Sequence, residues 1–192
     1  TREALSECAL IDLPGMGTLE AFNSDGLRTL CDTLVVPFMR ERTLRYPGHA
    51  EMMKTLRTAG FFSEEPMNID DKTVRPIDMT SKILADSWKY EQGEADLTVM
   101  QVEAEGKLGD EHVRICWNLL DYYDSVKDQS SMARATGFPA AAIGRMIVDG
   151  TVNLPGVHPP ETFGDNTTVV NRLLAELETR GIRFKKTKES VR

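Results

Sequence analysis

A chain of 192 residues, 41% hydrophobic and 28% charged, is long enough to bury a full core in one domain or one with a small appendage. Its formal net charge of -7 leaves no basic face to release counterions, which argues against a nucleic-acid backbone as partner. The longest apolar runs, such as 34–39, are far too short for a bilayer, so no membrane partner is expected. The three scattered cysteines lack a CxxC spacing, which disfavours a disulfide framework or a zinc site and fits a reducing cytoplasm.

In chain order, residues 4–13 read as a strand that ends at Pro14-Gly15, a strong turn signal. One helical turn is expected over 19–22. A helix capped by Asp25 follows, with Leu27, Leu30, Cys31 and Leu34 on one face. Residues 35–46 predict a strand broken by Pro37, as at an edge or bulge. An amphipathic helix over 49–59 presents Met52, Met53 and Leu56, with Gly60 at its end. The polar stretch 63–72 reads as an exposed loop, and Pro76 sits at the first turn of a helix over 77–90.

The clearest β signal is a hairpin, 95–105 and 112–123 around a loop at 106–111, in which Val113, Ile115, Trp117 and Leu119 share one face. Ser130 or Ser131 caps a helix rich in small residues over 132–149, with Pro139 as a kink or the true first turn. A Pro/Gly loop follows, and Asn166 caps a last helix striped by Val169, Val170, Leu173, Leu174 and Leu177. A terminal strand is expected over 182–185, and the basic tail 183–192 reads as frayed. Helices and antiparallel strands alternate irregularly, which predicts an α+β class: a mixed, largely antiparallel sheet with helices on one face.

Three groups of residues bear on chemistry. Gly15-Met-Gly17 after an apolar strand, with Ala21 and Glu41 downstream, has the outline of a dinucleotide fingerprint. Pro14 and the breakers at 23–26 stand where the strand and the phosphate-binding helix should run. His49, His112 and His158 lack metal-ligand spacing, and His49-Ala-Glu51 has no PCxxC after it, so no metal is expected and His49 reads as a surface helix start. Arg40, Arg42 and Arg45 lie in one run with Tyr46. An arginine fork suits a carboxylate, and Asp25 or Glu20 suits an ammonium, which together are the groups an amino-acid substrate needs. The same arginine run would equally protect an edge strand from aggregation.

The segments Leu13-Pro-Gly-Met-Gly-Thr-Leu-Glu-Ala-Phe-Asn-Ser-Asp-Gly-Leu27, Thr43-Leu-Arg-Tyr-Pro-Gly48 and Met132-Ala-Arg-Ala-Thr-Gly-Phe-Pro-Ala140 resemble the saccharopine dehydrogenase family. Within it they are most similar to the bacterial subgroup that includes lysine 6-dehydrogenase-like proteins. The resemblance implies the second, α+β domain of such an enzyme, which completes a substrate cleft and forms a homodimer, with the N-terminal Rossmann domain outside this chain. A start at Thr1, inside a segment that already reads as structure, fits that expectation. The resemblance further implies an α+β substrate-binding and dimerisation domain over 1–164, with the helix and strand of 165–192 packing on the Rossmann domain.

NAD or NADP would be held mainly by that Rossmann domain. By the same resemblance Asn23, Asp25 and Leu44 to Tyr46 line the cleft, with Arg45 on the substrate carboxylate, Asn23 and Asp25 on the amine, and Tyr46 shaping the wall. Thr18 and Glu20 complete the candidate set, Thr136 and Gly137 lie near the domain junction, and no residue is assigned as catalytic. Eukaryotic members read Asn-Arg-Asp-Ser where this chain has Asn23-Ser-Asp-Gly26, which favours a substrate smaller than saccharopine, such as lysine. The expected function is oxidoreduction at the C–N bond of an amino or imino acid. The alternative is a non-catalytic module of the same fold for dimerisation or amino-acid sensing.

Overall fold

The computed structural model describes residues 2–91 and 93–191. The class is α+β, with three antiparallel sheets and five α-helices among the described residues. The chain divides into two compact units, Thr1–Glu91 and Gln92–Arg192, and residues 165–191 fall in the second. None of the described helices is long and apolar enough to cross a membrane.

In the first unit, β1 (Ala9–Leu13), β2 (Gly17–Asn23) and β3 (Arg42–Arg45) form a sheet in the order β1-β2-β3. Pro14 and Gly15 make the turn between β1 and β2: Met16 N–H donates to the Leu13 carbonyl at 3.0 Å, and Gly15 sits at φ 80°. Proline followed by a left-handed glycine is the chemistry of a type II turn. The helical turn expected over 19–22 is therefore strand β2. Leu19 and Ala21 are buried on one face while Thr18 and Glu20 point to the other, the period of two that a strand requires.

The helix expected over 27–34 contracts to α1 (Leu30–Thr33), because Arg28 takes a left-handed φ of 49° that no α-helix continues through. The strand expected from residue 35 shortens to β3, and Val35 and Phe38, ahead of it, are exposed. Helix α2 (His49–Thr58) begins at Gly48, whose φ is 97°. The expected exposed loop at 63–72 instead contributes β4 (Met67–Ile69), which pairs with β5 (Lys72–Val74) across Asp70-Asp71. Helix α3 (Pro76–Ser87) starts with Pro76 in its first turn. Thr80 Oγ donates to the Phe61 carbonyl at 2.8 Å and ties α3 to the chain that follows α2.

The second unit is built on β6 (Leu97–Leu108), β7 (Glu111–Tyr122) and β8 (Phe184–Ser190), with β7 central. The β6–β7 hairpin is longer than its sequence suggested, since Leu108 pairs with Glu111 and the turn shrinks to Gly109-Asp110. The tail expected to fray is strand β8, paired with β7 from Phe184 to Ser190; Arg192, the last residue of that tail, lies outside the described residues. Lysines along an edge strand discourage further pairing, and within the sheet Lys188 pairs with Glu111 while Lys186 lies over the Trp117 ring.

Helix α4 (Ser131–Val148) is capped by Ser130, whose hydroxyl accepts the Ala133 N–H. The helix starts eight positions before Pro139, so that proline is interior to it rather than in its first turn. Helix α5 (Thr167–Glu178) starts at Asn166, whose side-chain carbonyl accepts from Val169 N–H at 3.2 Å. Two apolar clusters form the core of this unit. Leu119, Leu177 and Ile182 pack with Ala135, Phe138, Leu173 and Phe184; Met146, Val152 and Val169 pack with Ile143, Phe163 and Leu173.

A buried polar knot fixes the start of α4. The Asp96 carboxylate accepts the N–H groups of Ser131 at 2.6 Å and Met132 at 2.9 Å. Ser131 Oγ donates to Asp121 Oδ2 at 2.7 Å, and Arg134 lies 3.4 Å from the Asp121 carboxylate. Arg134 also donates to the carbonyls of Tyr122 and Arg180, so one guanidinium joins α4 to β7 and to the chain after α5.

Candidate functional site

A cleft of about 400 Å³ opens in the first unit, lined by Arg45, His49, Met52, Met53 and Trp88. The antiparallel register of β2 and β3 sets Glu20 directly opposite Arg45, so both rise from the same face of the sheet. Pro47-Gly48 then turns the chain, and α2 starts at His49 beside that face. Gly48 has no side chain to cap α2. Glu20 supplies the missing acceptor, its carboxylate taking the Ala50 N–H at 2.9 Å, where a negative charge also meets the positive end of the helix.

The walls are aromatic and thioether. Phe22 stacks on His49 with ring centroids 5.9 Å apart and planes 10° from parallel. Trp88, just past the end of α3, approaches His49 at 6.4 Å with a 42° tilt. Burial holds the His49 pKa below its usual value, Arg45 pushes it the same way, and Glu20 opposes both. The imidazole is therefore biased toward its neutral form.

Arg45 is the charged group of the cleft. Its guanidinium donates to the Leu44 carbonyl at 2.8 Å, and among the described residues no carboxylate lies within ion-pair distance of it. Its neighbours in the arginine run are engaged: Arg40 pairs with Glu7, and Arg42 donates to the carbonyls of Glu7 and Ala21. A guanidinium fork free of carboxylate, beside apolar walls, is equipped to hold a carboxylate or another planar anion.

The remaining candidates sit elsewhere. Asn23 is buried on the opposite face of β2, its amide donating to Ser6 Oγ at 3.0 Å. Asp25 is exposed and pairs with Arg28 at 3.4 Å, and Thr18 donates to Asp12 at 2.5 Å. Tyr46 is exposed and is absent from the cleft lining. Thr136 and Gly137 lie on the exposed side of α4 in the second unit. Of the set read from the sequence, the fold thus brings Glu20 and Arg45 together and adds His49, Met52, Met53, Trp88 and Phe22. The signal for His49 was the Pro-Gly turn that ends a strand and opens a helix; for Trp88 the sequence carried none.

The glycine pair does not form a dinucleotide cradle. Gly15 and Gly17 close a hairpin into strand β2, Ala21 is buried in that strand, and Glu41 accepts from Ser24 Oγ and Gly26 N–H. A phosphate needs the N–H groups of a helix start after such a loop, and none follows. A Cβ at Gly26 would fall 2.5 Å from Glu41 Cδ, so glycine there serves this local contact. Among the described residues no group of three His, Cys, Asp or Glu is placed to hold a metal ion.

The family described as the saccharopine dehydrogenase C-terminal domain matches residues 2–182. The chain is also similar to saccharopine dehydrogenase [NADP(+), L-glutamate-forming] of Schizosaccharomyces pombe, with 31% identity over 135 residues. That match takes in 69% of this chain and 28% of the relative, so the chain spans under a third of the relative's length. With the match running through both units, the chain belongs to the saccharopine dehydrogenase C-terminal domain family.

Proposed function

We propose that this chain is the substrate-binding and oligomerisation domain of an NAD(P)-dependent oxidoreductase of the saccharopine dehydrogenase or lysine 6-dehydrogenase type. The enzyme acts on the C–N bond of an amino or imino acid, as a cytoplasmic homodimer. The observation that carries the reading is Arg45, a guanidinium that lines the cleft beside apolar side chains and has no carboxylate partner among the described residues. Arg45 takes the substrate carboxylate, and Trp88, Met52 and Met53 receive its aliphatic part. Glu20, which spends one oxygen on the Ala50 N–H, offers the other to an ammonium. The nicotinamide, bound by a separate Rossmann domain, supplies the hydride exchange, and this chain orients the reacting carbon.

The test is a substrate screen on the enzyme that joins this chain to its nicotinamide-binding domain, with lysine, saccharopine and small diamines, each with NAD and NADP. At least one amino acid turns over, and Arg45→Ala lowers kcat/KM by about tenfold to a hundredfold, the worth of a charge-assisted hydrogen bond. If Arg45→Ala lowers only the oligomer mass and leaves turnover intact, the alternative of a non-catalytic dimerisation or amino-acid-sensing module replaces this reading.

A further inference from the structure

We infer that His49 is a second, proton-dependent ligand in the Arg45 cleft, so that binding a carboxylate there takes up a proton. The inference rests on the reading of the cleft as a carboxylate site and adds a group and a regulation to it. His49 is fixed as a ring: Phe22 stacks on it and Trp88 leans over it, which leaves the imidazole little freedom to turn away from the cleft it lines. Among the described residues neither of its ring nitrogens has a hydrogen-bond partner. A half-buried ring held in place with both nitrogens unspent offers two donors to an anion once it is protonated.

The charged groups that face the ring are Arg45 from β3 and Glu20 from β2, and Trp88, just past the end of α3, adds an uncharged ring. Within the chain itself, burial and the neighbouring guanidinium both disfavour imidazolium. A carboxylate on Arg45 reverses the second effect: it offsets the guanidinium charge and brings a negative acceptor to the ring. An opposite charge at such range raises a histidine pKa by about one or more. By linkage, whatever raises the pKa on binding makes binding tighter as pH falls, by about tenfold when the pKa rises by one. The proton comes from solvent and no bond to carbon is made or broken.

The test uses the 192-residue chain and L-lysine, whose own groups hold their charge between about pH 5 and 7. The imidazole resonances of His49 are titrated by NMR with and without saturating L-lysine, and the affinity is measured across the same range. The expected result is a His49 midpoint about one pH unit higher in the complex, and about tenfold tighter binding at the acid end. His49→Gln, which cannot protonate, flattens the pH dependence. An unchanged midpoint, with binding that Arg45→Gln still abolishes, overturns the proton coupling and leaves the carboxylate site standing. Absence of L-lysine binding at every pH, or binding that Arg45→Gln does not weaken, overturns both.

Discussion

Replacing Asp96 by alanine removes one side chain from the second unit and takes the start of its longest helix with it. Asp96 precedes β6, yet its carboxylate accepts the N–H groups of Ser131 and Met132, which are 35 and 36 positions away. Ser131 is fully buried, so its freed N–H cannot turn to water. A hydrogen bond to a charged group contributes about 1.5–3 kcal/mol, and an unsatisfied buried donor costs about 1–3 kcal/mol. The two bonds share one carboxylate and do not add fully, so about 3–4 kcal/mol is the expected loss. Asp96→Asn keeps an acceptor but not the charge that faces the helix dipole, and about half of that loss is expected.

The assay is urea unfolding in a Trp88→Phe background, where Trp117 is the remaining tryptophan and reports on the second unit alone. The midpoint falls for both variants, further for alanine, with the slope unchanged. A loss under about 0.5 kcal/mol for Asp96→Ala, within the range of ordinary surface substitutions, would refute the capping role.

Arg134→Met strands the buried Asp121 carboxylate and is expected to cost about 3–5 kcal/mol by the same assay, with much of it restored when Asp121 is also made apolar. Gly15→Ala forces a Cβ into the left-handed turn between β1 and β2 and should cost about 1–2 kcal/mol in thermal unfolding followed by circular dichroism. His49 is held below its ordinary pKa of 6.5 in the folded chain, so the unfolded chain binds more protons there. Its contribution to stability is thus present above pH 6.5 and lost as pH falls from there through the lower folded value. His49→Phe, which keeps a ring against Phe22, should remove that part of the pH slope in unfolding measured at successive pH values.

The regular elements with local signals are legible in the sequence. The alternation of Val113, Ile115, Trp117 and Leu119 marked β7, and Asn166 with its apolar stripe marked α5. What misled was competition between signals of similar strength. Leu19 to Phe22 carries neither a clear helical nor a clear strand period, and its pairing with both β1 and β3 decides the matter. The β4–β5 hairpin has strands of three residues each, too short for an alternation to announce itself. In the second unit the lysines of β8 disguised a strand as a tail.

For the candidate site, Glu20 and Arg45 could be read as polar groups of suitable charge, but their opposition depends on a register fixed by the whole sheet. Asn23 looked equivalent to Glu20 in sequence. Odd spacing along β2 sends its side chain to the far face, where Ser6 takes it up. Trp88 reaches the cleft through the end of α3, a contact with His49 across the whole of α2 and the β4–β5 hairpin that no local pattern encodes.

The central claim, that Arg45 and the rings beside it receive the substrate's carboxylate end, is tested most directly by following the Arg45 Nε–H and Trp88 indole N–H signals while L-lysine is titrated into the chain. Both signals shift with one shared midpoint, and Arg45→Gln abolishes the Trp88 shift while leaving the spectrum of the second unit unchanged. Shifts confined to the second unit, or a Trp88 response that survives Arg45→Gln, would contradict the account.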